Sequence, residues 1–218
     1  MALAIFDLDN TLIAGDSDHS WGEFLVDQSI VDSQTYKEMN DTFYADYESR
    51  CLDIFAYLEF SVEPLTRLSM EKLQSLHKKF MRDVINPIKL KGAEDLINQH
   101  RQAGDRLLII TSTNRFIVEP ICKSIGIDEI IATDLEIIDG KYSGEVMGIP
   151  TFQEGKVQRF NQWLEEQKES SDGSYFYSDS INDMPMLLEV AHPIAVDPDS
   201  ALRKEAESRH WKIISLRD

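Results

Sequence analysis

The chain is poor in cysteine and in positive charge, and it has no long apolar run. Two cysteines, Cys51 and Cys122, leave no basis for a disulfide framework or a CxxC metal site. Both fall in apolar, helix-like settings and are expected to be buried thiols. Lysine and arginine number 22 against 39 acids, a formal net charge of −17. Such a balance offers no basic face to nucleic acid or to an anionic membrane. A small phosphorylated substrate remains compatible, provided its site carries local positive charge. No stretch approaches the roughly 18 apolar residues of a membrane span. The N-terminal apolar run has no basic region before it and is cut short by Asp7, unlike a secretory leader. These absences point to a cytoplasmic globular protein, a monomer or homodimer, with no nucleic-acid or membrane partner. The five histidines show no HxxxH spacing. Gly155-Lys156-Val157 lacks the remaining glycine and the Ser/Thr of a P-loop.

What the sequence does have is concentrated at its start. Ala2–Phe6 is a short apolar run of the kind that forms a buried strand, and it ends abruptly in Asp7 and Asp9. Acids are unwelcome inside such a strand, so both belong at its carboxyl end, where open α/β sheets bind ligands. Residues at i and i+2 share a strand face. Two carboxylates placed there repel one another unless a cation, a proton or a lysine joins them.

From His19 to about Phe80 there is no strand-like alternation. Trp21, Phe24, Leu25, Ile54, Tyr57 and Leu58 recur at helical spacing, which predicts several helices with a break near Pro64. Beyond Asn86-Pro87 the pattern changes to strands alternating with helices. Strands are expected at Arg106–Thr111, Glu129–Thr133, Tyr175–Asp179 and Pro193–Val196, with Lys212–Ser215 as a further edge. A β-hairpin over 135–146 turns at Asp139-Gly140. The expected fold is therefore α/β, a doubly wound parallel sheet. Residues 1–14 and 87–218 form its core, and a helical block over 15–86 is inserted after the first strand.

In that layout Asp7, Asp9, Thr111, Ser112, Asp179 and Asp183 reach one crevice. Four carboxylates in one cleft call for a cation, and an oxygen-only donor set selects Mg2+ over Zn2+. Lys156 follows Gly155 at a helix start and is the strong local positive charge. The parts fit phosphoryl transfer. One carboxylate attacks phosphorus, and Thr111, Ser112 and Lys156 hold the remaining phosphate oxygens. A second carboxylate protonates the leaving oxygen and then activates water.

These residues resemble the haloacid dehalogenase (HAD) superfamily over essentially the whole chain. Asp7-Leu8-Asp9-Asn10-Thr11 is similar to its first motif, DxDxT. The run ending in Thr111 resembles the second, Lys156 the third, and Ser178–Leu187 the fourth, usually GDxxND. The resemblance implies a Rossmann-like core and a Mg2+-dependent phosphomonoesterase acting through an aspartyl phosphate on Asp7. Asp9 would be the general acid/base and lend its carbonyl to the metal. Asp179 would be a direct metal ligand, and Asp183 would act through water or Lys156. The insert resembles the helical cap of the phosphoserine-phosphatase-like subgroup, in which Asp16 would meet a substrate amine. Asp18, Asn114 and Arg50 are further candidates for substrate contact, with Arg67 and Arg82 as other possible counterparts of the subgroup's cap arginine; His19 lies near the acidic loop. Thr111-Ser112-Thr113-Asn114 and Ser178 depart from the phosphoserine pattern and look closer to a bacterial branch containing histidinol-phosphate phosphatases. The best expected substrate is histidinol phosphate or a related amino-alcohol phosphate. A phosphoserine phosphatase, a phosphotransferase or phosphomutase, and a receiver-like phosphate-sensing module are the alternatives.

Overall fold

The computed structural model describes residues 2–217. Its first strand, β1 (Leu3–Phe6), is buried along its whole length. Alternate side chains serve opposite faces: Ala4 and Phe6 join one apolar cluster, Leu3 and Ile5 another. β1 is the middle strand of a seven-stranded sheet ordered β4-β3-β2-β1-β5-β6-β7. The other strands are β2 (Arg106–Asn114), β3 (Ile130–Ile138), β4 (Lys141–Met147), β5 (Tyr175–Ser178), β6 (His192–Val196) and β7 (Lys212–Ile214). All pairings are parallel except that of β3 with β4, the expected hairpin. Phe6 sits in register with Ile109 on one side and Tyr177 on the other. The carboxyl ends of the three central strands therefore lie side by side.

Helices cover both faces. α5 (Lys91–Ala103) and α6 (Arg115–Ile125) contribute Ala93, Ile97, Val118 and Ile121 to the Phe6 side. α7 (Glu154–Gln167), α8 (Met184–Leu187) and α9 (Ser200–Ser208) contribute Phe160, Leu187 and Leu202 to the Ile5 side. Between β1 and β2 the chain forms α1 (Ser17–Asp27), α2 (Ser33–Glu48), α3 (Ile54–Thr66) and α4 (Met70–Phe80). A π-helical turn over Met81–Ile85 and a 3₁₀ turn over Asn86–Ile88 follow α4. The strands leading out of and back into the sheet side meet there. Ile13 forms an isolated antiparallel bridge with Lys89, and the Ala14 N–H donates to the Ile88 carbonyl at 2.8 Å. Trp21, Leu25, Leu73 and Phe80 belong to the same apolar cluster as Phe6, so α1 and α4 are seated on the core. By contrast, the buried residues of α2 amount to Asn40.

Several expectations shift. Pro64 does not break its helix; α3 continues through it to Thr66. The missing N–H costs one hydrogen bond, and the helix ends two residues later. Breaks fall instead at 28–32, 49–53 and 67–69. Cys51 is exposed rather than buried, because α2 stops at Glu48, Arg50 turns left-handed (φ 63°), and Cys51 falls in the linker. Cys122 is buried as expected. β2 runs on to Asn114 rather than ending at Thr111, and β3 merges with the first arm of the hairpin.

Candidate active site

The loop after β1 turns back at once. Asn10 adopts a left-handed conformation (φ 55°), its N–H bonds the Gly15 carbonyl, and Leu12 N–H bonds that of Leu8. The Asp7 N–H is fixed on the Tyr177 carbonyl at 2.9 Å. Asp7 is buried, and one of its oxygens lies 2.8 Å from Lys156 Nζ. The same ammonium reaches both oxygens of Asp183, at 2.7 and 2.9 Å, and the Ser178 hydroxyl donates to Asp183 at 2.7 Å. Thr11 Oγ1 donates to Asp179 at 3.0 Å and lies 3.4 Å from Asp7, while accepting the Asp179 N–H at 3.1 Å. Asp7, Asp179, Asp183 and Lys156, far apart in sequence, are thus one contact group.

Lys156 is only 3% exposed, in the first turn of α7. Gly155 makes that placement possible: a Cβ there would stand 2.0 Å from the Pro150 carbonyl oxygen. The turn before it is unusual, since Gln153 has φ 48° without being glycine. Burial alone would lower the Lys156 ammonium; the Asp183 and Asp7 carboxylates outweigh it and raise its pKa. Burial lifts Asp7 to about 7 against the pull of Lys156, with Asp183 and Asp9 adding to the rise. Asp179 is also raised, by burial and then by Asp7.

Asp9 points another way. One oxygen accepts the Ser17 N–H at 2.7 Å and the other the Thr113 hydroxyl at 2.9 Å. Burial, then the Asp16 charge, push it to about 7 despite those donors. Four carboxylates against one ammonium leave negative charge uncompensated. The donors are all hard oxygens, with no Cys or His among them. That composition fits Mg2+, and the Asp7 and Asp179 carboxylates would hold it, since both Asp183 oxygens are on Lys156 and both Asp9 oxygens on Ser17 and Thr113.

Thr111 is buried and accepts the Thr113 N–H at 3.3 Å. Asn114 caps α6 through the Ile117 N–H, so its side-chain oxygen is committed to the helix. Ser112 and Thr113 line a small cavity of about 40 Å³ between the sheet end and the helical block. Asp16, Asp18 and His19 from the start of α1 line it too, opposite Phe43, Tyr44 and Tyr47 of α2 and Tyr57 of α3. Asp16 is the N-cap of α1, accepting from Asp18 N–H and His19 N–H. His19 is tied to Asp41 at 3.0 Å, and Lys37 bridges Asp41 and Glu23 beside it. Arg50 lies on the rim of a different pocket, with Lys204 and Arg209. Arg67 pairs with Glu63 and Arg82 with Asp83, both exposed.

Sequence reasoning did not single out the contacts between the helical block and the sheet side. The Tyr47 hydroxyl is 3.2 Å from Ser180 Oγ, Asn182 Nδ2 donates to the Tyr47 carbonyl at 3.0 Å, and Gln153 Nε2 donates to Asn182 Oδ1 at 3.2 Å. Thr113 was likewise overlooked; its one signal was its place in the polar run after the apolar strand.

Comparison with known proteins identifies the family. The family model for haloacid dehalogenase-like hydrolases matches residues 4–188. The chain is 46% identical over 219 residues to the histidinol-phosphatase of Neisseria meningitidis serogroup C (strain 8013), covering 99% of both chains. A protein of unknown function from Bordetella pertussis Tohama I has the same fold, with a TM-score of 0.93 at 41% identity, covering 99% of this chain and 98% of that one. A substrate-bound phosphoserine phosphatase superposes with a TM-score of 0.73 at 20% identity, covering 100% and 94%, a likeness of fold. With its motifs gathered at the sheet end and its relatives matched nearly end to end, the chain belongs to the haloacid dehalogenase-like hydrolases and, within them, to the phosphatases.

Proposed function

We propose that the chain is a Mg2+-dependent phosphomonoesterase whose substrate is histidinol phosphate or a close amino-alcohol phosphate. The observation that carries the reading is the buried Lys156 joining Asp7 to Asp183, with Asp179 tied to the same group through Thr11. An Asp7 oxygen attacks phosphorus and the bond to the leaving oxygen breaks. Asp9, raised to about 7, carries a proton near neutrality and gives it to that oxygen. Its carboxylate then takes a proton from water, which attacks phosphorus and releases Asp7. Lys156, with the Ser112 and Thr113 segment, holds the phosphate oxygens. Mg2+ held by Asp7 and Asp179 would supply positive charge to offset the negative charge of the phosphate oxygens. Residues 15–86 act as a cap over a core of 1–14 and 87–218, closing on the substrate and excluding water.

The choice of substrate rests on the cavity wall and on the 46% identical relative. Among the described residues no lysine or arginine lines that wall, while Asp16 and Asp18 do. An amine suits it, and a carboxylate such as that of phosphoserine does not. The enzyme would work in the cytoplasm on a diffusible metabolite. The test is phosphate release from histidinol phosphate, phosphoserine, phosphoethanolamine and sugar phosphates, with Mg2+ and with chelator. The expected result is the highest kcat/KM for histidinol phosphate and loss of turnover on chelation. Transfer to added acceptor alcohols instead of release would favour a phosphotransferase, and phosphoserine as the best substrate would overturn the preference.

A further inference from the structure

The cavity wall holds one more acid than a single amine needs. Asp16 spends one carboxylate oxygen on the N–H groups of Asp18 and His19, at 2.9 and 2.8 Å. Asp18 makes no such bonds. Among the described residues no cation lies within salt-bridge distance of it, and the group beside it is the Tyr57 hydroxyl, presented by α3. An acid in the first turn of a helix helps the helix dipole, but that benefit needs no burial. Asp18 instead shares an enclosed wall with Phe43, Tyr44 and Tyr57. Nearby His19 is already engaged, with its ring on Tyr44 at 4.7 Å and its Nε2 on Asp41. The wall therefore presents two separate carboxyl groups among aromatic rings, with no lysine or arginine beside them.

We propose that Asp18, with Tyr57 beside it, is a specificity-determining residue: it recognises a second donor group of the leaving alcohol, the ring N–H of an imidazole, while Asp16 takes the amine. This rests on the substrate reading above and extends it. A planar ring slots between Tyr44, Phe43 and Tyr57, and its N–H points at the carboxylate with no water between. Burial and the Asp16 charge also hold the Asp18 carboxyl well above its ordinary pKa, with the Tyr57 contact pulling the other way. A donor or cationic ring relieves that cost.

The test compares two ligands in the same protein. Full-length enzyme with Mg2+ is titrated calorimetrically with histidinol and with 2-aminobutan-1-ol, which keeps the amine and alcohol but lacks the ring. Wild type should favour histidinol by about tenfold or more, the size of one charge-assisted hydrogen bond plus ring contact. Asp18→Asn should bring the two affinities to within about threefold by weakening histidinol selectively, whereas Asp16→Asn should weaken both. Tyr57→Phe should shift the ratio in the same direction by a smaller factor. Thermal melts of each variant establish that it is folded. An unchanged ratio in Asp18→Asn, equal weakening of both ligands, or no preference in wild type would each overturn the assignment. If wild type prefers histidinol but does not hydrolyse histidinol phosphate, the substrate reading fails and the role of Asp18 stands.

Discussion

The charged cluster at the sheet end, the floor of the site, and the aromatic helices beside it, its roof, are built on different principles. On the floor, Lys156, Asp7, Asp183 and Thr11 are locked by short hydrogen bonds and have β1, β5 and the first turn of α7 behind them. The roof is α2 and the first turns of α3, whose contacts are aromatic and far more exposed: Phe55 is 68% accessible, and Phe43 packs on Tyr57 and Phe60, while only the far half of α3 (Val62, Leu65) joins the core. The floor is rigid because charge left unpaired there would cost several kcal/mol. The roof has no such constraint, so its residues are free to answer to the shape and charge of a leaving group. In the proposed function, chemistry belongs to the first region and selectivity to the second.

The sharpest way to break this division is at Asp7. Asp7→Asn removes the oxygen proposed to attack phosphorus while keeping the side-chain shape, and should lower kcat on an aryl phosphate by at least about a thousandfold. Its melting temperature should stay near that of wild type. Unimpaired turnover would move the chemistry elsewhere. Gly155→Ala probes the same floor through the backbone. With a Cβ 2.0 Å from the Pro150 oxygen, the loop must shift, and overpacking of this kind costs about 1–3 kcal/mol. Lys156 moves with the loop, so kcat should fall about a hundredfold. A variant with wild-type kcat and stability would show that the floor is not rigid.

Those two positions also show how far the sequence could be read. The Asp7–Thr11 string and Ser178–Asp183 were legible because acids placed directly after an apolar strand have few explanations, and Lys156 because it opens a helix behind a glycine. That Lys156 would be buried was not legible from its immediate neighbours; it follows from Asp7 and Asp183, distant in sequence. The roof was legible only as helical spacing. Which faces of α2 and α3 look inward depends on linkers at 28–32 and 49–53, where left-handed Ser29 and Arg50 set the angles. Arg50, a reasonable partner for a carboxylate on paper, turns to another pocket there. Tyr57 reads in the sequence only as part of a helical repeat for the same reason.

A third measurement separates floor from roof by pH. Asp9 has a folded-state pKa raised from 3.8 to about 7, chiefly by burial. Between those values the native protein binds this proton more tightly than the unfolded chain does, so the group's contribution to stability declines as pH rises from about 4 to about 7. In chelated protein, the stability of wild type relative to Asp9→Asn should therefore fall across that window and level off above it. Added Mg2+ should recover stability on the alkaline side, since the deprotonated acids bind it. A difference that is flat with pH would mean that the Ser17 and Thr113 donors already compensate the charge.

The smallest expected effect lies where the two regions touch. Tyr47 holds the roof to the floor through its hydroxyl on Ser180 and its carbonyl on Asn182, and Asn182 is in turn bound by Gln153. All three floor partners lie in the loops that carry Asp179, Asp183 and Lys156, so closing the roof and setting the floor share the same atoms. Tyr47→Phe deletes one hydroxyl contact at 3.2 Å and keeps the carbonyl bond and the ring packing on Phe152. A neutral hydrogen bond of that kind is worth about 1 kcal/mol, which allows a loss of up to about fivefold. The loss should appear in kcat/KM for histidinol phosphate and hardly at all for an aryl phosphate too small to need the roof. Equal losses on both substrates would place Tyr47 in the service of the floor and erase the boundary between the regions at this residue.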